Sequence, residues 1–260
     1  MEGNLMKGIA QAFVQARSES RPLSAYPGVR PETLEEGYAI QDEAIGLAKG
    51  AIVGWKVGRI IAPLDARFGA NRLAGPVIGD TVREFTGNPV EMPVFAGGFA
   101  AAEAEFMLRL GDGPFAEIPA DDSGTLDLID EIRIGIEVAS SPYAGINADG
   151  PCVTISDFGN NAGLVLGMDV PRNLWGTLDT IVVETRLDGA VVGTATTATM
   201  LDGPLGAVRF LLGNLKARGI TPAPGTWISS GAITGVHDVR PGQVAEAEFA
   251  GLGTVSVRFI

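Results

Sequence analysis

The sequence predicts an α+β protein with a mixed, rolled or flattened β core, flanking helices and a helical N-terminal segment. Two observations carry this. Short runs of alternating apolar and polar residues recur from residue 51 to the end, and glycine, at 36 of 260 residues, punctuates them. Only a few stretches show helical spacing, and many short strands with turn-rich connections are what a curled or stacked sheet requires. Residues 1–50 are expected to form the helical segment and 51–260 a β-rich domain. A chain of this length is enough for one full core.

The totals exclude several partners. A formal charge of −12 leaves no basic footprint for nucleic acid or an anionic membrane surface. A single cysteine, Cys152, rules out an internal disulfide and agrees with a reducing compartment. The start, Met1-Glu2-Gly3-Asn4-Leu5, lacks a basic stretch followed by an apolar run, and no later stretch approaches the roughly 18 apolar residues of a membrane span. A cytoplasmic protein is the expectation.

In chain order, Leu5, Ile9, Ala12, Phe13 and Ala16 have helical spacing, giving an apolar face that needs a partner surface. That face argues for assembly into a homo-oligomer. Proline recurs between Arg21 and Pro31, which reads as a connector. A second helix runs from Pro31 to Lys49, with Glu32, Glu35 and Glu36 early and Gly50 at its end. Next, Val53, Trp55 and Val57 alternate with Gly54, Lys56 and Gly58: a strand with an apolar back and one lysine among glycines in front. From Arg59 to Asp80 regularity fades, and the segment reads as a long loop or lid. A short strand near Val90 to Phe95 and an irregular stretch from Gly111 to Gly124 flank the central acidic strand. Asp188-Gly189 marks a hairpin, and Gly203 to Arg218 is the strongest helix, with Pro204 near its start and Gly219 past its end. Short strands at Thr226 to Ser229, Val244 to Phe249 and Val255 to Ile260 complete the chain.

The chemistry lies in two strands. Side chains alternate faces, so Glu103 and Glu105 point one way while Ala102, Ala104, Phe106 and Leu108 form the apolar row behind them. About thirty residues later Ile132, Ile134, Ile136 and Val138 are the buried row, and Glu137 stands on the other face between Gly135 and Ala139. Three such acids repel one another unless protonated, solvated or holding a cation, and oxygen ligands suit a hard ion such as Mg²⁺ or Mn²⁺. From the residues alone, solvated or salt-bridged strand acids are an equal alternative.

The order of Gly54-Trp55-Lys56-Val57-Gly58, Glu103-Ala104-Glu105, Ile136-Glu137-Val138, Ser156-Asp157 to Gly167, Leu201-Asp202-Gly203-Pro204 and Ser230-Gly231-Ala232-Ile233-Thr234-Gly235 resembles the fumarylacetoacetate hydrolase superfamily. Within it, the 2-keto-4-pentenoate hydratase and 4-oxalocrotonate decarboxylase branch is the nearest in pattern. The resemblance implies the β-roll of that superfamily's C-terminal domain as the catalytic domain, with Glu103, Glu105 and Glu137 as metal ligands and Lys56 as the active-site lysine. It places Asp80 near an acid that follows the lid in relatives. It also implies a small 2-oxo or 2-hydroxydienoic acid substrate and an oligomer, with a related decarboxylase as a further partner. Two departures stand out. Relatives carry an Asp-Ser-Arg-like run after the third acid, where this chain has Ala139-Ser140-Ser141-Pro142, so the arginine's part is either missing or supplied elsewhere, by Arg59 or Arg67. The hydrolase branch carries a lid histidine, and none lies between Arg59 and Gly79.

A hydratase of a 2-hydroxy-2,4-dienoate is therefore the leading expectation, with a decarboxylase of an unsaturated 2-oxo diacid, an acylpyruvate-type hydrolase and a non-catalytic metal-binding partner subunit as alternatives. Lys56 beside a dication would have its pKa pulled down. Arg59, Asp157, Ser230 and Thr234 are the substrate-binding candidates: Ser230 and Thr234 sit on a glycine-rich loop whose N–H groups could hold a carboxylate. Asp157 either caps a helix or binds the lysine. Asn160-Asn161 is a turn or a site, and His237 a surface or turn residue.

Overall fold

A computed structural model describes residues 2–260. The first half of the chain forms α1 (Glu2–Ser18), α2 (Leu34–Leu47), β1 (Ile52–Arg59), α3 (Leu64–Phe68), β2 (Arg72–Ile78), β3 (Val82–Glu84), β4 (Val90–Met92), β5 (Phe99–Leu110) and α4 (Asp122–Leu126). The second half forms β6 (Ile129–Ser141), α5 (Pro151–Ser156), β7 (Asn161–Asp169), β8 (Val183–Leu187), β9 (Ala190–Ala195), α6 (Gly203–Ala217), β10 (Trp227–Ser229), β11 (His237–Asp238), β12 (Val244–Phe249) and β13 (Gly253–Phe259). The larger sheet runs β2-β1-β10-β5-β6-β7-β3, with β11 added on β5, and the smaller β4-β13-β12-β8-β9. The mixed α/β architecture with a curled sheet is the one expected.

The two long strands, β5 and β6, are antiparallel neighbours, and their alternation decides what each face does. Ala104, Phe106 and Leu108 join Ile132, Ile134 and Ile136 in one buried core with Ala247, Phe249, Val255 and Val257 of the smaller sheet. The Phe106 and Phe249 rings meet edge-on at 5.3 Å between centroids. The sheets approach so closely that a Cβ at Gly167 would lie 2.3 Å from the Val255 side chain. Leu205, Val208, Leu212 and Leu215 of α6 extend the same core. Each such side chain contributes roughly 1.5–3 kcal/mol by leaving water, so this core anchors the strands whose other face carries the acids.

α1 and α2 build a second core. Ile9, Ala10 and Phe13 pack with Ile40, Ala44, Tyr26, Tyr143, Val153 and Phe158. The apolar face of α1 is thus covered within the chain from Ile9 onward, while Leu5 stays exposed. α2 begins at a capping box: the Thr33 hydroxyl accepts from Glu36 N at 3.2 Å while Thr33 N donates back to the Glu36 carboxylate. Among the described residues no helix is long and apolar enough to cross a membrane.

Two local expectations are corrected. Residues 59–80 are not one lid: α3 is followed by β2, which pairs antiparallel with β1 from Ile52↔Ile78 to Arg59↔Arg72. Gly75 and Pro76 mimic a loop, but β2 is an edge strand, where a residue without an N–H is tolerated. Gly75 is there for close approach, since a Cβ would lie 2.0 Å from the Phe158 carbonyl oxygen. Val53, expected beside Trp55, instead packs with Val77 and Met107, because the β1–β2 register shifts between Ile52 and Gly54.

Candidate active site

Register brings the acids together. Glu103 pairs directly with Glu137, and Glu105 with Gly135, so all three carboxylates emerge from one face of the β5–β6 ladder. All three are buried. One oxygen from each lies within 4.8 Å of the others. Like charges directly opposite on a ladder are destabilising, and burial increases the cost. Burial, then Glu137 and Glu103, raise Glu105 well above the ordinary carboxylate range. Burial also pushes Glu103 up to about 7, with Glu137 adding to it against the pull of Lys56.

The hydrogen bonds around the acids are unequal. Glu105 Oε2 accepts from the Ser229 hydroxyl at 2.5 Å and from Gly231 N at 2.8 Å, while its Oε1 is buried without a partner. Glu137 Oε1 accepts from Asn161 Nδ2 at 2.9 Å and pairs with Lys56 Nζ at 3.3 Å. Lys56 also donates to Asn160 Oδ1 at 3.3 Å. Burial alone would depress the Lys56 ammonium, but the carboxylates of Glu137, Glu103 and Glu105 outweigh it and hold it above the usual lysine value. The depressed value expected beside a dication is reversed when only carboxylates face the lysine. An all-oxygen donor set with converging atoms and an orphaned buried Oε1 fits a hard divalent cation, which would remove the repulsion among the acids.

Glu103 and Lys56 open onto a cavity of about 610 Å³. Ile60, Ile61, Leu64, Leu73, Met200 and Val236 make much of its wall apolar. Arg59, Ser230 and Thr234 line it, and the buried Ser230 hydroxyl has no partner. The Thr234 hydroxyl is engaged with Thr185 at 2.7 Å and with His237 Nε2 at 3.1 Å. His237 itself is half-buried on β11.

Two candidates are elsewhere. Asp80 is exposed past the Ile78 end of β2, whereas Arg72, at the other end, lines the cavity. Reading 59–80 as one loop concealed that a strand's length separates them. Asp157 is buried and takes a bidentate pair from Arg17 of α1, at 2.5 and 2.9 Å, so it neither contacts Lys56 nor lines the cavity. Arg17 also donates to the Ser140 carbonyl. The cation that reaches the Ala139-Ser140-Ser141-Pro142 run is therefore Arg17 rather than Arg59 or Arg67. Gly135 makes room for Met107, whose side chain a Cβ would meet at 2.8 Å, and Gly54 for the Trp227 backbone. Sequence reasoning missed Ser229, Arg72 and Arg17. Ser229 could have been suspected from the polar Ser229-Ser230 end of an otherwise apolar strand; nothing local marks the others.

The curled sheet is the fold of solved proteins of the fumarylacetoacetate hydrolase superfamily. The 4-oxalocrotonate decarboxylase of Pseudomonas putida G7, solved with magnesium and adipate, shares the fold at a TM-score of 0.79 and 23% identity, covering 98% of this chain and 97% of that one. A fumarylpyruvate hydrolase from Pseudomonas aeruginosa, solved with Mn²⁺ and pyruvate, shares it at 0.59 and 16% identity, covering 79% and 88%. No protein-family model matches the chain. In sequence it is 30% identical to a 4-oxalocrotonate decarboxylase of Pseudomonas sp. (strain CF600) over 98% of this chain and 96% of the relative. It is 27% identical to a 2-keto-4-pentenoate hydratase of Paraburkholderia xenovorans over 96% of this chain and 93% of the relative. The chain belongs to the hydratase and decarboxylase branch of that superfamily.

Proposed function

We propose that the protein is a Mg²⁺- or Mn²⁺-dependent hydro-lyase that adds water to a 2-hydroxy-2,4-dienoate to give a 4-hydroxy-2-oxo acid. The observation that carries this is the convergence of Glu103, Glu105 and Glu137 with Lys56 at the head of a cavity whose wall is mainly apolar. Glu103, Glu105 and Glu137 would hold a divalent cation, which would supply Lewis-acid stabilisation of the charge that develops on a 2-oxo acid when a proton moves. Lys56, charged and held by Glu137 and Asn160, is the proton donor to the substrate carbon chain. The Ser230 hydroxyl, without a partner in the protein, is free to donate to the substrate carboxylate. Ser229, Gly231 and Asn161 fix the carboxylates against rotation. Ile60, Leu73 and Met200 surround the tail and exclude water from it. The test is the ultraviolet loss of the conjugated dienol, followed with and without EDTA. Turnover unaffected by chelation would remove the metal from the reading.

A decarboxylase of an unsaturated 2-oxo diacid is the second reading, and one observation favours it. Arg59 and Arg72 are register partners on β1 and β2 and both line the cavity, in a protein of net charge −12. Arg72 is paired with Asp202, while Arg59 is available to a second carboxylate at the exposed end. Release of CO₂ from a diacid without loss of a monoacid dienol would establish this reading over the first.

A further inference from the structure

We infer that Arg17, outside the cavity on the N-terminal helix, is a positioning residue of the active site: its guanidinium locks residues 157–161 into the turn that presents Asn160 to Lys56 and Asn161 to Glu137. The inference rests on the reading of the acid cluster as the metal and substrate site. The turn is conformationally costly. Phe158, Gly159 and Asn160 have successive φ values of 55°, 60° and 59°; glycine and asparagine adopt the left-handed region readily, but for the bulky Phe158 it is unfavourable. Inside the turn the backbone supplies two bonds, Asn160 N to Asp157 O at 2.8 Å and Asn161 N to Phe158 O, and neither involves a residue outside 157–161. Such a conformation persists only where its surroundings over-determine it.

Arg17 supplies that constraint from several directions at once. Besides the bidentate pair with the Asp157 carboxylate, Nη2 donates to Asp157 O at 3.2 Å and to Ser140 O at 3.1 Å, and Nη1 to Asn161 O at 2.9 Å. The guanidinium is also 5.2 Å from the Phe158 ring centroid and 5.6 Å from that of Phe95. One planar fork thus grips both ends of the turn, and the Ser141 hydroxyl donates to Asp157 Oδ2 at 2.6 Å beside it. Lysine has the charge but not the fixed set of donors. On the site side there is no slack. Asn160 Oδ1 accepts from Lys56 while its Nδ2 donates to Asn147 at 2.9 Å, and Asn161 Nδ2 donates to Glu137. A Cβ at Gly159 would stand 3.1 Å from the Lys56 side chain. Rotation of the turn out of the left-handed region would therefore withdraw the Asn160 amide from Lys56 and disturb the start of β7, where Asn161 meets Glu137.

The test compares wild type with Arg17→Lys, and with Asp157→Asn, which removes the same pair from the other end while leaving α1 untouched. Hydrogen exchange is read over 157–161 and over α1, alongside Mn²⁺ affinity by calorimetry. We expect exchange at 157–161 to rise about tenfold in both variants with α1 unchanged, and Mn²⁺ affinity to fall about tenfold. Exchange at 157–161 that stays at the wild-type rate, or that rises only in step with α1, would reduce Arg17 to a helix-docking residue and overturn the inference. So would a loosened turn with unaltered Mn²⁺ affinity. Wild type that binds no Mn²⁺ would sink the reading of the acid cluster instead, and the exchange measurement would still decide whether Arg17 holds the turn.

Discussion

The site has two sides built by different means. The acids stand on β5 and β6, where Glu103 faces Glu137 in a continuous antiparallel ladder backed by the main core. Asn160, which holds Lys56, comes from a left-handed turn, and Asn161, which holds Glu137, opens β7 directly after it; both are gripped by a helix about 140 residues earlier in the chain. Ladder geometry places side chains by alternation, and nothing remote has to agree with it. The turn holds Asn160 under the grip of Arg17, a residue of α1. The first side should tolerate everything except changes to the acids themselves, and the second should respond to changes far from the chemistry.

The sharpest break of the ladder side is Glu105→Gln. Losing a ligand should weaken Mn²⁺ binding by more than about a hundredfold, beyond what outer partners contribute, with dienol turnover falling at least as far. The same variant should be more stable than wild type in EDTA, by about 1–3 kcal/mol, because a buried acid facing two others has been removed. Thermal melts with and without metal read both effects, and a variant that still gains stability from Mg²⁺ would refute the ligand assignment. Wild type itself should gain about 2.7 kcal/mol at a Mg²⁺ concentration one hundred times Kd.

On the turn side the largest effect should come from Gly75→Ala. Its Cβ would meet the Phe158 carbonyl oxygen at 2.0 Å, which cannot be relieved without moving the turn or β2. We expect about 3 kcal/mol of destabilisation, measured by urea unfolding, and a loss of kcat beyond that of an equally destabilised core variant such as Leu212→Ala. Asn161→Ala should be milder. It frees Glu137 from one donor while Lys56 remains, and about a tenfold loss of kcat is expected. Asp80→Asn should change neither kcat nor melting temperature beyond ordinary surface scatter of about 0.5 kcal/mol. A substantial loss of activity there would mean that β2 does not separate Asp80 from the cavity.

Much of this was legible in the sequence, and unevenly so. Alternation in Ala101 to Phe106 and in Ile132 to Val138 was enough to set Glu103 and Glu105 on one face of their strand and Glu137 opposite the apolar row of its own, because side-chain direction on a strand is a local property. The helical period of α1 and α6 was equally plain. The segment 59–80 was misread because Gly75 and Pro76 signal a loop locally, whereas β2 is an edge strand whose neighbour decides its conformation. Asp157 was ambiguous for a related reason: its partner, Arg17, lies in a different element and carries no motif.

By itself, then, the order of residues determined which strands form, which way their side chains face, and that three carboxylates with a lysine would have to be reconciled. Only the tertiary structure decided that β10 brings Ser229 beside Glu105, that Arg72 and not Asp80 reaches the cavity, and that α1 supports the turn carrying two amides. The reason is physical: alternation and helical period follow from neighbours along the chain, while a buried carboxylate's partner is chosen by whichever donor the packing of distant elements delivers to it.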